Sequence, residues 1–366
     1  MSLKRVLFER ALDVLALGIS RPSPLPEEPR SIFVLRNNDI GDVLVITPLF
    51  EALRRRFPAA RLVAGVGEWN VPVLERNPYL SGCLVMNAPW HNKYTPPVGS
   101  WGALRYIWTS HEVQTLAGER FEVGIDVLGS PWGSLLFMRA GIRCRLGVRG
   151  YAGGHTVTSA WVDYDDRTHL SQAALRFAEM LGATELPHAA PQIFLTATET
   201  AAGAQRWSVA PSRPGAPPRR ILLAPGAGLP EKRWPAERFM ELARLMRARP
   251  EVEVLVVGGK SERALAEELA MAAPNIRTLA GELDLRQVFA AVASADAVVT
   301  NGSFVMHVAA AFGVRALIVL GPQFQSAALH ELQWGYPETQ RTFGRADPHG
   351  DLASAREVFA ALTQTP

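Results

Sequence analysis

Cysteine is nearly absent from this chain: 366 residues carry two, Cys83 and Cys144, far apart and without CxxC spacing. That scarcity argues against a disulfide framework or a zinc site and fits a reducing compartment. Long hydrophobic runs are missing too. No apolar stretch approaches the ~20 residues that a bilayer-spanning helix needs. No GxGxxG follows a first strand, and no GxxxxGK precedes a Ser or Thr. A dinucleotide dehydrogenase and a P-loop kinase are therefore disfavoured. An excess of charge of one sign is nearly missing as well, with a formal net of +3. Nucleic acid would call for a stronger, clustered basic patch, and none is present. The mild excess suits an anionic substrate or a membrane surface.

What remains is ordinary globular composition, 48% apolar and 20% charged, in a chain long enough for two domains. The N-terminus has a basic start, Lys4, Arg5 and Arg10, ahead of apolar residues, but Glu9 and Asp13 interrupt any signal-peptide pattern. It reads as an amphipathic helix with Leu3, Val6, Leu7, Leu12, Leu15 and Ile19 on the apolar face. Two readings stand: docking on the protein's own body, or peripheral membrane attachment with Lys4 and Arg5 near headgroups.

Beyond a proline-rich linker at Arg21–Pro29, short β-branched runs alternate with helical patterns. Strands are expected at Ser31–Arg36, Arg61–Val66, Leu84–Met86 and Val123–Val127, and helices at Thr47–Phe57, Val71–Arg76 and Gly102–Ala117. The plan repeats after a second proline-dense stretch, Pro211–Arg220. Strands follow at Ile221–Ala224, Glu253–Val257, Ala297–Thr300 and Ala316–Leu320. Helices follow at Ala236–Ala248, Glu262–Ala272, Leu285–Ala293, Met306–Phe312 and Leu352–Leu362. Such alternation implies βαβ units and parallel sheets, hence two Rossmann-like α/β domains facing a cleft, with ligands at the carboxyl ends of the strands.

Three strand-to-helix turns could carry chemistry. In Asn37–Pro48, NNDIGDVLVITP, Gly41 permits a tight turn and Asp42 is expected in a loop ahead of the helix near Thr47. A carboxylate there could take a proton from an attacking hydroxyl, or Asp42 or Thr47 could simply cap the helix. In Ala224–Trp234, APGAGLPEKRW, the glycine turn at Gly226 lets backbone N–H groups approach a phosphate, and Lys232 supplies a cation; a solvated loop lysine is the bland alternative. In Val299–Gly313, Asn301, Gly302 and Ser303 lead into a helix whose free N–H groups suit a pyrophosphate, with Phe304 and His307 in its first turns. A lone histidine there is more often structural.

Elsewhere, Trp90–Trp108 is aromatic and basic, so Lys93, Trp101 and Arg105 either meet an anionic glycolipid or form a solvated loop packed on its own tryptophans. Arg54–Arg56 reads as a solvent-facing run. Arg143, Arg145 and Arg149 read as a charged strand edge, with an acidic acceptor as the other reading. Glu262, just past the turn at Gly258 and Gly259, is a candidate nucleoside contact.

Taken together, the turns resemble glycosyltransferase family 9, the ADP-heptose:lipopolysaccharide heptosyltransferases. The resemblance rests on IGDVLVITPLFEALRRRFPAARL with LERNPYL, on APGAGLPEKRWPAERFMELARLM and on VTNGSFVMHVAAAFGVRALIVLGP. Weaker features are His169, LRFAEMLGA and LAGELDLRQVFAAVASAD, and the whole covers roughly Ile32 to Pro322. It implies a GT-B fold and an inverting, metal-independent transfer with no cofactor beyond an ADP-linked sugar donor. It further implies an anionic glycolipid or oligosaccharide acceptor, and a cytoplasmic protein that can sit on the inner membrane. By resemblance Asp42 is the general base, Lys232 holds donor phosphate, and Gly302–Ser303 is the phosphate-binding helix start. The implied organisation is an N-terminal helix and linker over 1–30, an acceptor domain over 31–195 and a proline-rich hinge over 196–220. A nucleotide-sugar domain over 221–345 and a C-terminal helix over 346–366 complete it.

One departure stands out. The family usually has Asp, then Ser or Thr, then Gly where this chain has Gly302, Ser303 and Phe304. That removes a carboxylate able to contact the donor sugar and adds bulk at Phe304. A different nucleotide sugar is therefore an alternative, as is a binding protein without catalysis. A sugar-nucleotide epimerase would need further cleft carboxylates and histidines.

Overall fold

The computed structural model describes residues 10, 11, 13, 14, 20–207, 219–249 and 251–364. The chain divides into two compact units between Ala189 and Ala190. The first runs β1 (Ser31–Leu35), α1 (Ile40–Val45), α2 (Thr47–Arg56), β2 (Arg61–Val66), α3 (Val71–Leu74), β3 (Gly82–Val85), α4 (Ser100–Thr109) and α5 (His111–Glu119). It continues with β4 (Val123–Asp126), α6 (Pro131–Arg139), β5 (Cys144–Arg149), β6 (Ala160–Asp163) and α7 (Leu170–Met180). The second runs α8 (Ala197–Ala204), β7 (Arg219–Ala224), α9 (Ala236–Met246), β8 (Val252–Val256), α10 (Arg263–Ala272), β9 (Ile276–Thr278) and α11 (Leu285–Ala293). Then come β10 (Ala297–Asn301), α12 (Phe304–Ala311), β11 (Arg315–Val319), α13 (Ala327–Trp334), β12 (Gln340–Phe343) and α14 (Ala355–Thr363).

Each unit holds a six-stranded sheet, ordered β3-β2-β1-β4-β5-β6 in one and β9-β8-β7-β10-β11-β12 in the other. All pairings are parallel. The order reverses between β1 and β4 and again between β7 and β10, and such switch points are where open α/β sheets bind ligands. Helices on both faces explain why β1, SIFVL, is buried along its whole length and reads as a continuous apolar run. The ring of Phe33 lies 5.3 Å from that of Phe121 and 6.0 Å from that of Phe137. The second core centres on Trp234, Phe239, Leu242 and Leu269, with Val358 and Leu362 of α14 closing it. Burying each large apolar side chain contributes about 1.5–3 kcal/mol.

Several expectations are corrected. The loop expected ahead of Thr47 is the helix α1, so Gly41 and Asp42 lie in a helical first turn. The single helix expected over 102–117 is two, because Ser110 is extended and its hydroxyl accepts from the Val113 N–H to start α5. The stretch expected as a hinge contains α8, fixed by a capping box between Thr196 and Glu199 and by the Glu199–Arg286 ion pair to α11. Residues 208–218, with most of the proline run, lie outside the described residues.

The arginine readings change as well. Arg145 is no strand-edge charge: β5 lies between β4 and β6, and Arg145 is fully buried. Its guanidinium donates to the carbonyls of Val157, Ile142 and Ser20. Arg54 is no solvated face either, since it clamps the carbonyls of Tyr79, Pro58 and Ala60. Of the N-terminal helix, Leu3, Lys4, Arg5, Val6, Leu7, Leu12, Leu15 and Ile19 lie outside the described residues. Asp13 accepts from the Val157 N–H at 3.1 Å, and the Ser23 N–H donates to the Arg143 carbonyl at 2.9 Å, so this part docks on the first unit.

Candidate active site

At the carboxyl end of β1, Arg36 to Asp39 cross the switch point of the first sheet. Arg36 is buried at 6% exposure and donates from Nη2 to Oδ1 of Asp42 at 2.7 Å. Oδ2 of Asp42 accepts the Asp39 N–H at 3.2 Å. Asp42 thus closes a capping box with Asp39 at the start of α1, rather than capping the helix that begins at Thr47, and it remains half-exposed. Beneath it the connection is tied down. Asn37 donates to the carbonyls of Ala88 and Trp90, and Asn38 donates to that of His91. The Asn38 carbonyl accepts from Trp69 and Asn70.

Two further groups surround Arg36. Asp126 ends β4 in register with Leu35, and its buried carboxylate accepts the Ser130 N–H at 2.9 Å. Burial pushes its pKa up to about 6, against the pull of backbone N–H groups and Arg36. His91, in the left-handed region at φ 57°, has its pKa lowered by burial and by Arg36. Lys93 pairs with Asp39 at 3.8 Å and lies 5.3 Å from the Tyr94 ring, which stacks on Trp69. Arg105 belongs to a different surface, the exposed face of α4, with Trp101 at 85% and Trp108 at 46% exposure.

In the second unit, the turns after β7 and β10 meet at the other switch point. Asn301 is fully buried and joins them. Its Oδ1 accepts the Trp234 N–H at 2.8 Å, and its Nδ2 donates to the Pro225 carbonyl at 2.6 Å and the Gly226 carbonyl at 3.3 Å. Its amide is engaged at both ends, so Asn301 shapes the site rather than contacting a ligand. Lys232 ends the 3-10 turn Pro230–Lys232 and is half-buried. Its carbonyl accepts the Gly321 N–H at 3.2 Å, bringing the turn after β11 alongside.

Ser303 is the extended residue before α12, but its hydroxyl makes no cap. It pairs instead with Thr300 Oγ1 at 3.1 Å. The first N–H groups of α12 therefore lack a side-chain cap, and the positive end of the helix is available to an anion. Phe304, the first residue of α12, is half-buried. His307 takes the structural role: it is buried, its Nδ1 sits 2.9 Å from Tyr336 Oη, and it packs on Trp334. Glu262 is buried, accepting the Gly259 N–H at 2.9 Å, the Ser261 hydroxyl at 2.8 Å and Arg233 Nη2 at 3.0 Å. A Cβ on Gly258 would come within 2.8 Å of the Glu262 Cβ, so that turn depends on glycine to admit it, while one on Gly226 would press on the Glu262 side chain at 3.1 Å.

The turn that carries Lys232 and the start of α12, which no side chain caps, are joined through Asn301 at one switch point, and an oriented carboxylate lies at the other. Among the described residues no His, Cys, Asp or Glu cluster could hold a metal ion, and no helix is long and apolar enough to cross a membrane. Sequence reasoning missed Arg36, Asp126 and His91 around Asp42, and His330 beside Lys232. Only Arg36 carried a local signal, a charged residue directly after the first strand.

The sequence model of glycosyltransferase family 9 (heptosyltransferase) matches residues 110–326, which takes in the second and third turns and not Asp42. Lipopolysaccharide heptosyltransferase 2 of Salmonella typhimurium is 27% identical over 304 residues, 80% of this chain and 82% of that one. The solved structure of Escherichia coli ADP-heptose lps heptosyltransferase II superposes with a TM-score of 0.69 at 22% identity, over 91% of this chain and 97% of that one. E. coli heptosyltransferase WaaC with ADP-2-deoxy-2-fluoro heptose superposes with a TM-score of 0.68 at 16% identity, over 91% and 98%. The architecture is GT-B, and the chain belongs to glycosyltransferase family 9, the heptosyltransferases.

Proposed function

We propose that this chain transfers heptose from an ADP-linked donor to a hydroxyl of a lipopolysaccharide core acceptor, with inversion at the anomeric carbon and without a divalent metal. The observation that carries the proposal is the uncapped start of α12 at the switch point of the second sheet, to which Asn301 ties the turn that carries Lys232. Helix N–H groups and an ammonium suit a diphosphate and replace the charge neutralisation that a metal would otherwise supply. In the first unit, Asp42 takes the proton of the acceptor hydroxyl. The freed oxygen bonds to the anomeric carbon from the face opposite the diphosphate. The bond from that carbon to the phosphate oxygen breaks, and its electron pair leaves on ADP. Lys232 and the α12 N–H groups stabilise that charge more strongly in the transition state than in the ground state, which is the condition for acceleration.

The acceptor is anionic, and Lys93 supplies positive charge close to the Asp39–Asp42 turn. The exposed Trp101, Arg105 and Trp108 of α4 suit the headgroup region in which a lipid-anchored acceptor is embedded. The test is a transfer assay with ADP-heptose and heptose-deficient lipopolysaccharide, run with and without EDTA. Thermal-shift measurements with ADP, UDP, GDP and dTDP accompany it, since a ligand of the native state raises the melting temperature. ADP is expected to stabilise most, and transfer is expected to survive EDTA. A clear preference for another nucleotide would reassign the donor, and loss of transfer in EDTA would overturn the metal-free mechanism.

A further inference from the structure

One buried group near Lys232 has no part in the mechanism above. His330, on α13, is 6% exposed and packs edge-on against Phe324 with ring centroids 4.9 Å apart. Its ring reaches the start of the β10–α12 turn. A Cβ built on Gly302 would lie 2.8 Å from His330 Nε2, 3.1 Å from the Phe324 ring and 3.2 Å from Leu320. The bare Cα of Gly302 is therefore what lets the imidazole edge approach that turn. The other ring nitrogen, Nδ1, is buried with no hydrogen-bond partner.

These facts fix the chemistry of the ring. Burial first, and then the charge of Lys232, pull its pKa down to about 4, so it is neutral at physiological pH. A neutral imidazole carries one N–H. An orphaned buried N–H is rarer than an under-satisfied acceptor, which assigns the proton to Nε2. Nε2 is then a hydrogen-bond donor next to Gly302, in company with Lys232 and the uncapped N–H groups of α12. The groups gathered here are donors, which suits an anion rich in oxygen acceptors.

We propose that His330 is a donor-binding residue, giving a neutral N–H hydrogen bond from Nε2 to an oxygen of the diphosphate of the nucleotide sugar. This rests on the assignment of Lys232 and the α12 start to that diphosphate. The role suits a neutral ring: a second cation beside Lys232 would be repelled by it, whereas an uncharged N–H adds a directed contact without that cost. It also adds a reason, beyond approach to the ligand, for glycine at 302.

The test compares wild type with His330→Leu, His330→Gln and Lys232→Ala by calorimetric titration with ADP, AMP and ADP-heptose at pH 7.5. Melting temperatures without ligand separate folding from binding. A hydrogen bond from a neutral N–H to a charged diphosphate oxygen corresponds to roughly a 10- to 150-fold change in affinity. His330→Leu is expected to lose that factor for ADP and ADP-heptose and little for AMP. His330→Gln, whose amide can return a donor near the Nε2 position, is expected to recover most of it. Unchanged ADP affinity in a folded His330→Leu, while Lys232→Ala binds weakly, overturns the role of His330 alone. A loss confined to ADP-heptose overturns the diphosphate assignment in favour of a sugar contact. If Lys232→Ala binds ADP like wild type, the underlying donor site is wrong, whatever His330 does.

Discussion

Arg36, buried behind the first strand, holds Oδ1 of Asp42 at 2.7 Å from its Nη2. The pair spans the junction of β1 and α1, so the carboxylate proposed as base is aimed by a side chain that solvent barely reaches. An oriented base reacts from a single geometry, and misplacement by about 1 Å can cost as much as 100-fold in rate. Arg36→Met is expected to fold and to lower kcat by about 10- to 100-fold. Asp42→Asn, which keeps the shape and loses the base, is expected to lower it by about 100- to 10,000-fold. Calorimetry should give both variants wild-type affinity for ADP, because the donor groups belong to the second unit. Equal transfer by Asp42→Asn and wild type would remove Asp42 from the chemistry.

Lys232→Ala tests the other half of the mechanism. A hydrogen bond to a charged group is worth about 1.5–3 kcal/mol, which is roughly a 10- to 150-fold change in dissociation constant. ADP affinity should fall within that range, and AMP affinity by less if the ammonium contacts the outer phosphate. Lys232→Arg should restore part of the binding. An equal loss for AMP and ADP would move Lys232 toward the nucleoside.

How far the sequence predicted these relationships depended on their range. The strands were readable because β-branched runs such as SIFVL and AVVTN mark buried parallel strands whatever their surroundings. The helix α1 was not, because six residues with a glycine second give too little periodicity, and the Asp42 contacts that define its start are tertiary as well as local. Arg145 was misread for the same reason: only the sheet order shows that β5 is interior. Asn301 and His307 sit in one motif, yet one ties two turns together and the other meets Tyr336, and neither partner is close in sequence. His330 carried no pattern at all. Its meaning comes from Gly302 and Lys232, brought beside it by separate strand-to-helix turns.

Asn301 makes a prediction about stability rather than chemistry. Its side chain serves the Trp234 N–H and the carbonyls of Pro225 and Gly226 in a fully buried position. Asn301→Ala leaves the Trp234 donor without a partner, at a cost of about 1–3 kcal/mol. The urea midpoint should fall with the slope unchanged, as for a loss of native stability without a change in surface exposed. ADP should recover part of the loss by mass action. Asn301→Asp keeps an acceptor for Trp234 but sets a carboxylate against two carbonyls, and should be at least as unstable as Asn301→Ala.

Asp126 gives the pH dependence. Burial raises its pKa from the ordinary 3.8 to about 6 in the folded protein, so the native state holds a proton that the unfolded chain releases earlier. Below about pH 4 both states are protonated. Between about 4 and 6 the native state binds more protons than the unfolded state, so stability falls as pH rises. Above about 6 both are ionised and the difference is constant. A shift of that size corresponds to about 3 kcal/mol. Asp126→Asn removes the titration while keeping one carbonyl oxygen for the Ser130 N–H. The stability of wild type minus that of Asp126→Asn, from urea unfolding at pH 4 to 7, should therefore decline by about 3 kcal/mol toward pH 6 and then level off. A difference that rises with pH would mean that Arg36 and the backbone donors outweigh burial, leaving Asp126 an ordinary paired carboxylate.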